Sequence, residues 1–147
     1  YAKAQGKRMV YTPQMIIDGT YGVAGTKPAA VAEAIAKHRA KPNPVKLDLR
    51  REGDTLHILA VPRGPSPGRM DVTLFRYEPK ASVAIKSGEN AGQTIRYANI
   101  VTSMEPLGTW GGADPLRLTH PITGGRPVIV LVQKAGHGPV TGAAQLE

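Results

Sequence analysis

The side chains able to do chemistry in this sequence are few and scattered. Four histidines, His38, His57, His120 and His137, could serve as acid–base groups or metal ligands, but they lie far apart, with no close pair of the zinc-motif type. The carboxylates Asp54, Asp71, Glu78, Glu89 and Asp114 show no spacing that marks a paired acid–base site. There is no cysteine, so these residues hold no disulfide framework, no thiolate metal site and no thiol nucleophile. The glycine-rich stretches "GGRP" and "GTWGGAD" lack the Lys-Ser/Thr pair of a phosphate loop. No catalytic centre, metal or cofactor is expected within the chain.

Two stretches are worth weighing as binding sites. The first is Thr12-Pro13, directly ahead of the apolar run Met15, Ile16 and Ile17. A proline at the mouth of a core strand removes a ladder hydrogen bond. A trans proline that merely opens the strand is the commoner arrangement. A cis proline would kink the chain and leave the backbone of Thr12 free to pair with an extended peptide. The second is "SGENAGQ" (residues 87–93), which could present Glu89 and Asn90 to a ligand. A turn explains it more simply, because Gly88 and Gly92 supply positive φ and Asn90 can bond its own backbone. Trp110, the sole tryptophan, reads as a core or seam anchor, and His137 as a loop residue.

The chain has 147 residues and no apolar stretch near the roughly 20 that span a bilayer. No signal peptide is visible. The start at Tyr1 rather than methionine leads us to expect that a segment has been removed, and Leu146-Glu147 resembles a cloning junction. Net charge is +8, unevenly placed. Residues 1–51 hold ten Lys/Arg against three Asp/Glu, and residues 52–147 hold nine against eight. The basic residues are dispersed and aromatics are few, so nucleic acid is not an expected partner.

Hydrophobic spacing then divides the chain. Gln14 to Asp18 reads as a buried strand, Asp18-Gly19 as a hairpin turn and Tyr21 to Ala24 as the returning strand. Ala29 to Ala40 reads as a helix, with Thr26 as its N-cap, Pro28 in its first turn and Val31 and Ile35 on its apolar stripe. "KPNP" (residues 41–44) stops it as a linker. Beyond it, strands are expected at Val45 to Arg50, Thr55 to Val61, Met70 to Tyr77, Ser82 to Lys86, Gln93 to Met104, Leu116 to Thr119, Val128 to Gln133 and Val140 to Ala144. Short strands with Pro/Gly punctuation argue for an antiparallel sandwich or barrel. Its expected core is Val72, Leu74, Ile95, Val130 and Val132. The fold class is therefore mainly β with a small α/β part.

The residues also carry a resemblance. "VYTPQMIIDGTYGVAGTKPAAVAEAIAKHRA" resembles the second half of a thioredoxin-like domain: strand, turn, antiparallel strand, final helix. "AIKSGENAGQTIRYANIVTSMEPLGTW" and "LVQKAGHGPVTGAA" make a more specific match. Together they resemble an uncharacterised bacterial family of secreted proteins with a thioredoxin-like domain and an all-β C-terminal region. The resemblance implies a closing half of a thioredoxin-like domain over 1–40, a linker over 41–44 and a sandwich-like domain over 45–147. It implies a cis Pro13, with Tyr11, Thr12 and Pro13 contacting the backbone of an extended peptide or protein substrate. It implies a periplasmic or secreted location, and thiol-disulfide chemistry when the cysteine-bearing half is present. The alternative is a non-catalytic binding or structural module on a thioredoxin-like scaffold.

Overall fold

The computed structural model describes Gly6 and residues 13–147. Its first turn follows from two residues. Asp18 and Gly19 both have positive φ (53° and 71°), which Gly adopts freely and Asp tolerates. The Thr20 N–H closes the turn on the Ile17 carbonyl at 3.1 Å. The hairpin so formed joins β1 (Gln14–Ile17) to β2 (Tyr21–Ala24), with Met15 opposite Val23 and Ile17 opposite Tyr21.

A helix, α1 (Pro28–Arg39), packs on this hairpin. Pro28 occupies its first turn, where the missing N–H costs no helical bond. The N-cap is Lys27, with no side-chain cap, and not the expected Thr26. Ala34 is the helix's buried residue, whereas Ile35 of the expected stripe is 41% exposed. Among the described residues, cover of the helix is therefore centred on Ala34.

The remaining strands are β3 (Val45–Glu52), β4 (Thr55–Pro62), β5 (Met70–Ala84), β6 (Thr94–Trp110), β7 (Leu116–Pro121), β8 (Val128–Lys134) and β9 (Val140–Leu146). They form two antiparallel sheets, ordered β3-β4-β7 and β6-β5-β8-β9. The architecture is thus mainly β with a small α/β part. Alternation explains the packing. Leu56, Ile58 and Ala60 of β4 face Met70, Val72 and Leu74 of β5 and Val128, Val130 and Val132 of β8 across one core. Trp110 and Ile122 join that core, and the Trp110 indole N–H donates to the Asp114 carbonyl at 2.9 Å.

The two edges of the sandwich are finished differently. At one, β9 passes so close to β3 that a Cβ on Gly142 would lie 2.9 Å from the Val45 carbonyl oxygen. At the other, His120 of β7 meets Glu105 of β6, Nε2 to Oε1, at 3.3 Å.

One strand departs from the expected pattern. Met70 to Tyr77 and Ser82 to Lys86 are not two strands: β5 runs unbroken from Met70 to Ala84 through Pro79. Past Arg76 it no longer pairs with β8, and beyond the contacts of Tyr77 with Pro127 and of Glu78 with Arg126 its strand partner among the described residues is β6. Proline is accommodated where one side of a strand is unpaired. Opposite it stands Asn99, at a φ of 53°, between the pairs Glu78–Ile100 and Lys80–Ala98. As a result, Ile95 is not in the sandwich core. It pairs with Val83 on a two-stranded ribbon that projects beyond the four-stranded sheet.

Candidate functional site

The ribbon and the sheet it grows from carry the most unusual surface among the described residues. The inward side chains of β5 are Met70, Val72 and Leu74, so Phe75 and Tyr77 face outward. The Tyr77 hydroxyl accepts a hydrogen bond from Gln145 Nε2 at 2.7 Å, which places both residues on the outer face. The same phase continues without a break into the ribbon as Ala81, Val83 and Ile85. Across β6 the outward partners are Met104 opposite Phe75, Val101 opposite Tyr77, Tyr97 opposite Ala81 and Ile95 opposite Val83. On the other flank, Ile129 of β8 stands opposite Phe75 and Leu131 opposite Thr73.

These side chains make one apolar strip, from the middle of the sheet almost to the ribbon's tip, in which Tyr77 is buried and has Gln145 and Glu147 beside it. Met104 is 66% exposed, Val101 55%, Val83 43% and Tyr97 42%. Single exposed apolar residues are ordinary, but a contiguous patch marks an interaction surface. The charged side chains of the ribbon sit on its reverse. Lys80 is opposite Ala98, and Arg96 is opposite Ser82. The ribbon is therefore two-faced, apolar on one side and basic with small residues on the other.

Glu89 and Asn90 lie at the ribbon's tip and are exposed. The turn there is built by its backbone. Gly88 and Gly92 have φ of 85° and 83°, Ala91 N–H donates to Gly88 O at 3.0 Å and Gln93 N–H to Asn90 O at 3.1 Å. Tyr11 and Thr12 fall outside the described residues. Pro13 is exposed just before β1, and its carbonyl accepts the Gly25 N–H at 2.8 Å. Pro13 and the 87–93 tip are not brought together. The turn at Asp18 docks on the β8–β9 connection, where Val140 N–H donates to the Asp18 carbonyl at 3.1 Å. That connection is at the Met70 end of β5, and the tip lies past its Ala84 end.

That docked turn holds a second cluster. The Asp18 carboxylate meets His38 Nδ1 at 3.1 Å, with side chains 30% and 14% exposed. The Tyr21 ring lies 6.5 Å from the His38 ring, centroid to centroid. Asp18 and His38 are twenty residues apart, and nothing in the spacing announced the pair. Its environment is a joint between hairpin, helix end and sandwich, and its chemistry is that of a structural clasp.

A third surface, the outer face of β3-β4-β7, forms an open cleft of about 510 Å³. Within it Arg50 pairs with Glu52 at 2.7 Å and Glu52 with His57 at 3.3 Å. Among the described residues, no group of three or more His, Cys, Asp and Glu is placed to hold a metal. No helix there is long and apolar enough to cross a membrane.

A strand break expected at Pro79 hides the apolar strip in the sequence. Its signal is nonetheless present. Phe75, Tyr77, Ala81, Val83 and Ile85 share one odd-numbered phase that runs straight through the proline.

The fold is shared with a solved protein. A crystal structure of an Agrobacterium tumefaciens protein, determined as a structural-genomics target, superposes with a TM-score of 0.75 at 23% identity over 99% of this chain. The chain spans 65% of that protein's length. No curated protein matches the chain. A family model described as a protein of unknown function, DUF1223, matches residues 1–133, and the chain belongs to that family.

Proposed function

We propose that the chain acts as a non-catalytic binding module, which docks a protein partner on the outer face of β6-β5-β8 and its projecting ribbon. The observation that carries this reading is the apolar strip from Leu131 and Phe75 to Ile85, in which Tyr77 is itself buried but Val101 and Met104 are more than half exposed. A two-stranded ribbon is at best marginal alone in water, so a ribbon with one apolar face gains from cover. The tip, with Glu89, Asn90 and Gln93, is polar, which favours sideways packing over insertion of the tip into a lipid layer.

The test uses the fluorescence of anilinonaphthalene sulfonate with dilute protein. Wild type should enhance the dye's emission. The double variant Val101→Asp/Met104→Asp should lose most of the enhancement while its Tm stays within a few degrees. An equal dye response in the variant would remove the strip as a docking surface.

The second reading is the closing part of a longer thioredoxin-like protein, periplasmic or secreted, linked to thiol-disulfide exchange through cysteines outside this chain. What favours it is the order strand, turn, antiparallel strand, helix, with Pro13 opening the first strand. Tyr11, Thr12 and Pro13 would then meet an extended peptide by strand addition. Because the thiolate is the attacking group in such exchange, insulin reduction by the longer protein should vanish when its cysteines are changed to serine. Unchanged activity would end this reading.

A further inference from the structure

We infer that the partner covering the apolar strip is a second copy of this chain, packed face to face about a two-fold axis. The inference rests on the binding-module reading and names its occupant. Three observations favour a copy.

Charge comes first. The chain carries +8, which opposes self-association wherever charges face each other. Between Phe75 and Ile85, however, the outward side chains and their β6 partners carry no charge. Lys80 and Arg96 project from the reverse of the ribbon. Two strips can therefore meet with these cations on the far side; the carboxylate that borders the strip is that of Glu147, held by Gln145 Nε2 at 2.8 Å beside Tyr77.

The second is shape. The strip has two unlike halves. One is a flat sheet face around Phe75, Ile129 and Leu131, backed by the core. The other is the ribbon; beyond the Glu78–Arg126 ion pair at its base, it pairs with no further strand among the described residues. A two-fold axis near Pro79, the midpoint of the strip, lays each ribbon on the other copy's sheet face. The half that lacks cover and the half that offers it are exchanged, as an isologous interface requires.

The third is size. The strip, residues 73–85, runs roughly 43 Å at about 3.3 Å per residue, and two to three strands give a width of about 10–14 Å. Each copy then contributes roughly 500 Å², and the pair about 1,000 Å², which is the lower bound of specific interfaces. Such an interface gives a reversible dimer, with a Kd on the order of micromolar or weaker.

The experiment is sedimentation equilibrium of the 147-residue chain at near-physiological salt, from low-micromolar to near-millimolar concentration. The mass should rise from 15.6 kDa towards twice that value. Val101→Asp/Met104→Asp should weaken association at least about tenfold, the change expected for placing charges in an apolar contact. Lys80→Asp, on the reverse face, should not weaken it. Because the chain has no cysteine, Pro79→Cys provides a geometric check: under mild oxidation it should form a self-disulfide, and Ser82→Cys on the reverse face should not. Monomer at every concentration overturns the inference, as does association that the strip variants leave unchanged. A monomer that still enhances the dye refutes the second copy and leaves the binding surface standing. A monomer that does not enhance it refutes both.

Discussion

Gly19 is under two constraints at once. Its φ of 71° is a conformation that L side chains rarely adopt, and a Cβ there would sit 2.5 Å from the Gly138 carbonyl oxygen and 2.8 Å from Gln133 Nε2. The turn that fits the hairpin is the same turn that docks the hairpin on the sandwich. Gly19→Ala should therefore cost about 2 kcal/mol or more, because strain at positive φ alone is about 1–2 kcal/mol and the backbone contact cannot yield. Chemical denaturation would show it, and a variant as stable as wild type would mean that the turn is not seated on Gly138. Next to it, Asp18 and His38 form a partly buried pair. A double-mutant cycle with Asp18→Ala and His38→Ala should return a coupling of about 0.5–1 kcal/mol. A coupling of zero would mean that the two side chains do not meet in solution. The turn dipeptide was readable in the sequence, because Asp-Gly is a local signal. The pair was not, because it depends on how α1 returns over the hairpin.

At the scale of elements, the sandwich rests on β8. Val128, Val130 and Val132 are all at most 2% exposed and lie between strands on both sides. Val130→Asp should unfold the chain, since an unpaired buried charge costs several kcal/mol, of the order of the whole stability. A soluble, cooperative melt in that variant would contradict the assignment. The run "VIVLVQ" made this strand legible from composition alone, and alternation did the same for β3 at Val45, Leu47 and Leu49. The extent of β5 was not legible. Pro79 ordinarily ends a strand, and whether it does so depends on the neighbours that the strand has there. Because β8 pairs with β5 only as far as Arg76, the strand at Pro79 has a free side and continues. The same fact moves Ile95 from the sandwich core to the ribbon. That Ile95 lies on a strand is legible in the sequence, but the surface that it faces is set by which strands stop short.

At the scale of the molecule, one sheet has two apolar faces. The inner one is covered by β3-β4-β7. Along the outer one, Val101 and Met104 stand more than half exposed, and the ribbon extends that face past the sandwich. Burial of apolar area is the dominant source of association free energy, so the molecule's main unspent capacity to bind lies there. Covering the strip should also stabilise the ribbon, since local opening has its own free energy, lower than that of the core. Amide hydrogen exchange measured at two protein concentrations tests this most directly. In dilute solution the amides of residues 80–98 should exchange orders of magnitude faster than those of Val128 to Val132. At high concentration the ribbon amides should slow severalfold while the β8 amides stay unchanged. Ribbon protection that already equals that of β8 and does not move with concentration would contradict a strip awaiting cover.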